Sequence, residues 1–342
     1  MADQIISTGE SRGEESQSEQ SDEAIEVIEV ESRRHEIPAK MHGWRIDRAL
    51  AELTPEFSRS YLQQLMADGA VHWNGALPRK ASAKVKVSDV VEVELRPTQQ
   101  AMAFVAEDMA LDLVFEDAHL MVLVKPAGLV VHPAAGHWSG TLLNGLLAHH
   151  AGAASLPRAG IVHRLDKDTS GLMLVGKSRQ AVEALVRAIA AREVKREYVA
   201  IGHGAWKAGA KVTVDQPIGR DVHNRLRMGV VPPESGAGKV AQTTIRPLDS
   251  DSQVCLVACQ LHTGRTHQIR VHMAWLGHPL VGDTLYGGRL ALGMHRQSLH
   301  ATRLRLLHPV SGEPMAFDST PPADFMNALE TAGLQYNGLD SE

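Results

Sequence analysis

The stretch I-V-H-R-L-D-K-D-T-S-G-L-M-L-V-G-K, residues 161–177, places five ionisable residues between two short apolar runs. Such runs, bounded by Thr, Ser and Gly, are typical of buried strands that a turn connects. Open sheets commonly carry their sites at strand ends. Asp166 lies near Arg164 and Lys167 in the sequence, and opposite charges at close range favour the ionised carboxylate. The stretch predicts a charged site where a core strand ends. The simplest alternative is a solvated turn whose charges neutralise each other.

A second charged stretch, L-H-T-G-R-T-H-Q-I-R-V-H-M-A-W-L-G, spans residues 261–277. Thr266 is expected to cap a helix that Gly277 ends. His267 and Arg270 lie three residues apart, so they share one face of that helix.

Residues 97–342 carry the pattern of a larger α+β domain. Strands are expected at 120–124, 129–131, 194–201 and 253–261, the first two as a hairpin. A helix is expected at 180–191, where apolar residues recur at helical spacing. Because strands and helices alternate too irregularly for a doubly wound fold, we expect a mixed, mainly antiparallel sheet.

Residues 43–96 have the pattern of a small basic domain. Its helices and strands are expected at 45–53, 58–68, 71–73 and 84–95. Ser58 is expected to cap the second helix and Gly69 to end it. Scattered surface cations by themselves indicate only solubility.

The charge of the chain is unevenly distributed, although its formal total is -5. Residues 1–31 contain ten Asp or Glu and one Arg, a net of -9, which leaves +4 for the rest. The acidic tail, assigned to residues 1–34, lacks aromatic residues and is expected to be disordered. The mildly basic remainder permits RNA binding. No apolar run is long enough for a membrane span and no signal peptide is present, so a cytoplasmic protein is expected.

The cysteines and histidines argue against disulfide and metal chemistry. Cys255 and Cys259 are four apart on an expected strand, roughly 13 Å from each other, so buried thiols in a reducing compartment are expected. His267 and His272 are five apart, which is poor spacing for one helical face, and no H-E-x-x-H motif occurs. A metal site is therefore not expected.

The charged stretches together resemble one family, the large-subunit ribosomal RNA pseudouridine synthases. The resemblance is carried by K-P-A-G-L-V-V-H-P at 125–133, H-R-L-D-K-D-T-S-G-L at 163–172, K-R-E-Y at 195–198 and G-R-T-H-Q-I-R-V-H at 264–272. With R-I-D-R-A-L at 45–50, S-R-S-Y-L-Q-Q-L at 58–65 and G-A-V-H-W-N-G at 69–75, residues 43–95 resemble the alpha-L RNA-binding module of small-subunit ribosomal protein four. The resemblance implies an alpha-L domain at 43–96, a catalytic domain of the pseudouridine synthase fold at 105–325 and a flexible C-terminal tail at 326–342.

The family's reaction breaks the bond from ribose to uracil nitrogen, rotates the uracil and rejoins it through carbon 5. No group is imported and nothing is oxidised, so no cofactor is expected. By resemblance, Asp166 is the anion beside the anomeric carbon, much as glycosidases use a carboxylate. Whether it attacks the sugar, adds to the ring or removes a sugar proton stays open at this point.

The supporting roles also come from the resemblance. Arg270 is expected to pair with Asp166 and to hold it ionised. Tyr198 is expected to stack on the uracil and to act as a general acid or base, although by itself it resembles an ordinary core tyrosine. Arg164 is expected to fill the space that an extruded uridine leaves. RNA contacts are assigned to Arg164, His132, Arg265, His267, Arg48, Arg59, Arg79, Lys80 and Lys84.

The expected partner is 23S ribosomal RNA, free or in a precursor of the large subunit, and the expected target is the helix 69 stem-loop. The enzyme is expected to be a monomer. One alternative keeps the catalysis and changes the substrate to another 23S uridine or a tRNA loop. Another is a non-catalytic assembly factor, against which the presence of Asp166, Tyr198 and Arg270 argues. A retaining glycosidase is the least supported alternative, because no motif supplies the second acidic residue that such an enzyme needs.

Overall fold

The computed structural model describes residues 31–57, 59–95, 104–134, 137–221, 224 and 227–339. It divides the chain into two compact units, residues 1–96 and 97–342. The expected tail up to residue 30 and the expected cap at Ser58 lie outside the described residues. In the described ranges, no helix combines the length and the apolar character that a membrane crossing needs.

The first unit is a small antiparallel sheet with helices packed on it. Its elements are β1 (Glu31–Glu36), α1 (Ile46–Leu53), α2 (Arg59–Ala67), β2 (Val71–Trp73) and β3 (Val90–Leu95). β3 lies between β1 and β2. Apolar side chains at helical spacing on α1 meet the alternating valines of β3, and the buried core includes Ile46, Leu50, Leu62, Val91 and Val93.

Two expectations for this unit are wrong. Residues 31–34 are not tail: they begin β1, whose backbone pairs with β3 from Glu31 opposite Leu95 onward. Charged side chains are compatible with an edge strand, since the ladder is made by backbone groups. The strand expected at 84–95 begins at Val90, because Ser88 adopts a left-handed conformation with φ of 66° and interrupts the extended run.

The second unit is built on one large sheet. The strands of the unit are β4 (Asp112–Glu116), β5 (Leu120–Lys125), β6 (Ser170–Gly176), β7 (Lys195–His203), β8 (Val212–Asp215), β9 (Ile218–Arg220), β10 (Met228–Val230), β11 (Gln242–Ser250), β12 (Val254–Leu261), β13 (Leu299–Leu307) and β14 (Pro314–Asp318). β9 and β10 pair with each other in a separate two-stranded sheet, and the other nine strands form the large sheet. The order across the sheet is β4-β5-β6-β13-β7-β12-β11-β8, and β14 pairs with β13. Pairing is antiparallel except between β6 and β13, so the expected mixed, mainly antiparallel sheet is confirmed.

Among the described residues of this unit, the α-helices are α3 (Leu142–His149), α4 (Arg179–Ala190), α5 (Gln268–Trp275) and α6 (Ala323–Ala332). The residue before α5 is His267, not the expected cap Thr266, because His267 takes a left-handed conformation at the turn. The tail expected at 326–342 is also wrong for its described part. Residues of α6 and the segment after it, including Ala328, Leu329, Leu334 and Leu339, are buried against the sheet.

The expected hairpin of 120–124 with 129–131 does not form. β5 pairs instead with β4 on one side and β6 on the other, while residues 129–131 lie outside the strands. Likewise Ile161 makes a single bridge to Val175 rather than a strand. These segments are short, and partners distant in sequence decide their pairing.

The parallel contact between β6 and β13 demands a glycine. Ala301 lies opposite Gly171, whose φ is 118°. A Cβ at this position would lie 2.3 Å from the carbonyl oxygen of Ala301, so a side chain there is excluded. The first residues of β6 therefore pair with β13, and they directly follow the charged residues of the 161–177 stretch.

Candidate active site

The Asp166 loop, residues 164–169, ends at the start of β6 and opens on a cleft of about 810 Å³. Asp166 is the one carboxylate among the described residues that line this cleft. The cleft also contains five arginines: Arg158, Arg164, Arg192, Arg196 and Arg265. A cavity with this excess of cations attracts an anionic ligand.

The backbone of the Asp166 loop is fixed by side chains from other segments. Lys125, at the end of β5, is fully buried, and its Nζ donates to the carbonyl oxygens of Pro126, Leu129 and Lys167 at 2.7, 2.9 and 2.8 Å. Arg296 donates to the carbonyl of Asp168 at 2.9 Å. These contacts fix the direction in which the loop presents its carboxylate.

Among the residues that the structure describes, no carboxylate forms an ion pair with the buried Lys125, and a buried lysine without such a partner is uncommon. Burial lowers its pKa to about 7, although the nearby charges of Asp168 and Asp166 act in the opposite direction. The ammonium offers three donors, and carbonyl oxygens accept them, which offsets part of the cost of burying the charge.

Asp166 is paired with Arg270, as the family resemblance predicts. Nη1 of Arg270 donates to Oδ2 of Asp166 at 3.1 Å. The other side of the guanidinium is held by Asp283, which accepts from Nε at 2.7 Å and from Nη2 at 2.9 Å. Burial disfavours the charge on Arg270, but the ion pairs with Asp283 and Asp166 outweigh it and raise its pKa. Arg270 therefore stays charged.

His267 and Tyr286 complete the surroundings of this pair. Nδ1 of His267 lies 2.7 Å from the hydroxyl of Tyr286, and its Nε2 lies 4.0 Å from Asp166. The guanidinium of Arg270 lies 5.0 Å from the centroid of the Tyr286 ring. His267 has a φ of 57°, a left-handed conformation that is uncommon outside glycine and is often found at functional sites. Burial lowers the pKa of His267, and Asp166 opposes this effect.

Tyr198 lies on β7 between β12 and β13 and lines the same cleft as Asp166. It is 4% exposed. Burial raises its pKa to about 12, and the neighbouring charge of Asp166 adds to the effect. The phenol is therefore neutral at physiological pH and acts as a donor or as a flat apolar surface.

The RNA-contact candidates of the second unit gather at this cleft. Arg164, Arg265 and His132 line it, and Arg164 and Arg265 are exposed. Burial lowers the pKa of His132 to about 4, so this imidazole is neutral. His267 lies beside Asp166 rather than on an open surface.

The candidates of the first unit are exposed, but two of them have protein partners. Arg59 donates to Asp47, which is fully buried, at 2.9 Å. Hydrogen bonds from Arg45 and Arg59 and from Gln63 lower the pKa of Asp47, although burial opposes them. The guanidinium of Arg48 lies 4.2 Å from the ring of Trp44. The other three candidates, Arg79, Lys80 and Lys84, are also exposed.

Several residues of the site carry no assignment from sequence. They are Lys125, Arg196, Asp283, Tyr286 and Arg296. Asp283 and Tyr286 occur in V-G-D-T-L-Y-G-G at 281–288, a stretch whose glycines mark tight turns. The position of these polar residues between glycine turns is the feature of the sequence that could have identified them as site residues.

Within the described ranges, no group of three or more His, Cys, Asp or Glu has a geometry suited to a metal ion. Cys255 and Cys259 are free and buried, as expected. Burial raises the pKa of the Cys255 thiol to about 11, so it is protonated.

Comparison with known proteins identifies the family. The sequence profile of RNA pseudouridylate synthases matches residues 119–275, which include the Asp166 loop and β7. Ribosomal large subunit pseudouridine synthase D of Neisseria meningitidis serogroup A is 45% identical over 317 residues, which is 89% of this chain and 83% of that relative. The chain belongs to the RNA pseudouridylate synthase family.

Further relatives of this pseudouridine synthase agree in sequence and in fold. The Vibrio vulnificus protein of the same name is 44% identical over 88% of this chain and 95% of its own length. The structure of human RNA pseudouridylate synthase domain containing 4 matches with a TM-score of 0.52 at 25% identity, over 66% of this chain and 95% of that chain. The protein is accordingly an isomerase with the pseudouridine synthase fold.

Proposed function

We propose that this pseudouridine synthase converts specific uridines of 23S ribosomal RNA to pseudouridine, in the helix 69 stem-loop, with Asp166 as the catalytic residue. The ribosomal large subunit relatives support the substrate class. The single observation that supports the catalytic role best is the pairing of Asp166 with Arg270 inside a cleft lined by arginines.

Asp166 is suited to act on the ribose of a bound uridine. When the bond to the uracil nitrogen breaks, positive charge develops at the anomeric carbon, and a fixed carboxylate stabilises that charge. Arg270 holds the carboxylate in position, because its guanidinium is itself anchored by Asp283.

Tyr198 is suited to hold the detached uracil. Its ring lines the cleft beside Asp166, and an aromatic ring can stack on a base while the base rotates. Because burial raises the pKa of Tyr198 to about 12, its phenol is protonated in the resting enzyme. In this proposal Tyr198 stacks on the uracil while the base rotates, and it takes up the carbon 5 proton only as it passes its own phenolic proton to another acceptor.

The target uridine must leave its stack to reach Asp166, since the carboxylate lies within a cleft. Unstacking one nucleotide costs a few kcal/mol. Arg164 is exposed at the cleft and carries a planar guanidinium, which can stack in the vacated position and offset part of that cost.

The test is chemical mapping of pseudouridine along 23S RNA from cells with the gene, without it, and with Asp166→Asn in its place. We expect the helix 69 modifications to disappear in the latter two strains. Loss of pseudouridine at another 23S position or in a tRNA loop, instead of in helix 69, would show that this other position is the target. An unchanged map in the deletion strain would contradict the proposed enzyme activity.

The purified Asp166→Asn and Asp166→Ala variants separate catalysis from binding. Both are expected to form no pseudouridine in a helix 69 hairpin while their RNA affinity stays close to that of the wild type, because phosphate contacts supply most of the affinity. Full activity in either variant would remove Asp166 from the mechanism.

A further inference from the structure

Arg196 is a buried arginine that the isomerisation described above does not use. It lies on β7 and is 4% exposed. Its Nε is buried without a hydrogen-bond partner among the described residues, and no carboxylate of the described ranges forms an ion pair with it. Leaving a buried charged donor unpaired is costly, so this arrangement calls for an anion.

The position of Arg196 indicates where that anion binds. Arg196 lines the cleft that holds Asp166, and it lies two residues before Tyr198 on the same strand. Residues two apart on a strand share a face at a spacing of roughly 7 Å. This is the scale over which one nucleotide connects its base to its backbone phosphate.

The immediate surroundings of Arg196 favour negative charge on the ligand. Arg192 and Arg265 line the same cleft, and His262 lies there as well. Gly264 leaves room for the guanidinium: a Cβ at this position would lie 3.1 Å from Nη1 of Arg196. A guanidinium presents a planar fork of donors that matches the oxygens of a phosphodiester.

We propose that Arg196 binds the backbone phosphodiester next to the uridine that is isomerised. This subsite rests on the proposed action on RNA. It fixes the ribose at one end while Tyr198 holds the base at the other, so that the sugar lies against Asp166. The residue is thus a substrate-positioning group, and its ligand is a phosphodiester within RNA rather than free phosphate.

The experiment uses the full chain and RNA hairpins in which single phosphates near the target uridine are replaced by neutral methylphosphonates. In the wild type, one replacement beside the target is expected to lower kcat/KM by roughly 10- to 100-fold, as expected for loss of one charge-assisted hydrogen bond. Arg196→Met is expected to lower kcat/KM on the natural hairpin by a similar factor. It is also expected to become insensitive to that same replacement.

Controls separate a phosphate contact from a structural role. Arg179→Met removes an exposed arginine of α4 that pairs with Glu183. This variant should lose as much kcat/KM on the methylphosphonate hairpin as the wild type does. Arg196→Lys keeps the charge without the fork and should give an intermediate loss. The melting temperature of Arg196→Met should equal or exceed that of the wild type, since the variant removes an unpaired buried charge. A much lower melting temperature would make Arg196 a core residue and overturn the proposal.

The salt dependence of RNA affinity gives an independent measurement. Loss of one phosphate contact is expected to reduce the slope of log affinity against log salt by about 0.7 to 0.9. If Arg196→Met and a neutral linkage lower kcat/KM independently, the loss in the combination equals the product of the two separate losses. If this holds for every linkage, Arg196 contacts none of these phosphates, and the phosphate subsite is wrong while the proposed function stands. If the wild type forms no pseudouridine in the natural hairpin, the proposed function fails and the subsite fails with it. Inhibition of the wild type by millimolar inorganic phosphate alone, without any linkage effect, would also overturn the subsite.

Discussion

The carboxylate of Asp283 accepts two hydrogen bonds along one edge of the Arg270 guanidinium, at 2.7 Å from Nε and 2.9 Å from Nη2. The remaining nitrogen, Nη1, reaches Asp166 at 3.1 Å. Both Asp283 and Arg270 are buried. The orientation of the arginine is thus set by a buried acid behind it, and Asp166 meets a cation that is already fixed.

Replacing Asp283 is expected to impair both activity and folding. Asp283→Asn should lower kcat by roughly tenfold or more, because Arg270 loses its anchor, and should reduce the free energy of unfolding by about 3–5 kcal/mol, because one partner of a buried pair is removed. Single-turnover kinetics and urea denaturation measure these effects. Glu183→Gln, which alters an exposed pair with Arg179, is the matched control and should change neither.

A double variant separates the two effects. Arg270→Met with Asp283→Leu removes both buried charges, so its stability should return towards that of the wild type while its activity stays lost. An active double variant would show that the arginine is dispensable for the reaction.

Lys125→Met is expected to loosen the Asp166 loop. The change removes the donor to the carbonyls of Pro126, Leu129 and Lys167, and each buried carbonyl left without a partner costs about 1–3 kcal/mol. We expect a fall in kcat with nearly unchanged RNA affinity, and faster hydrogen exchange at residues 164–169. Lys177→Met removes a partly buried lysine that pairs with Glu116, and it should leave hydrogen exchange at residues 164–169 unchanged.

The first unit is expected to supply RNA affinity rather than chemistry. Deleting residues 1–96 should weaken hairpin binding and flatten its salt dependence, since the exposed cations of this unit are lost. In the full chain, the triple variant Arg79→Gln, Lys80→Gln, Lys84→Gln should reproduce part of both effects without a change in kcat. Affinity and salt slope that survive the deletion would show that this unit does not bind the RNA.

His300 is expected to make the protein sensitive to acid. Burial lowers its pKa from 6.5 to about 4 in the folded state, where the ring lies 3.0 Å from the hydroxyl of Ser170. Between these values the unfolded chain binds more protons, so the free energy of unfolding falls as the pH falls, by roughly 3 kcal/mol for this group. Urea denaturation between pH 7 and pH 4 measures the loss, and His300→Gln should reduce it by that amount. An identical pH profile in the variant would contradict the assignment.

The local pattern of the sequence predicted the parts of the fold that depend on neighbouring residues. The amphipathic helix expected at 180–191 is α4, and the strand expected at 253–261 is β12, each shifted by one residue or less at its ends. The contact between Asp166 and Arg270 was predicted from a family resemblance. Spacing by itself says nothing about two residues that are 104 positions apart.

The expectations that were wrong depend on partners distant in sequence. Residues 129–131 have the composition of a strand, but β5 pairs with β4 and β6 and leaves them no partner. The sequence assigned no role to Lys125, because its burial follows from the loop that folds over it. Arg196 likewise had no assignment from the sequence, because the cleft that it lines is formed by segments distant in the chain.

The place of β13 in the sheet has a consequence for biosynthesis. This strand lies between β6 and β7, so residues 299–307 must be inserted between segments synthesised more than ninety residues earlier. Until that insertion, Gly171 has no neighbour at Ala301 and Tyr198 lacks one of its flanking strands. A nascent chain that has not yet released β13 from the exit tunnel therefore lacks a finished cleft, which delays competence for catalysis until translation of this domain is nearly over.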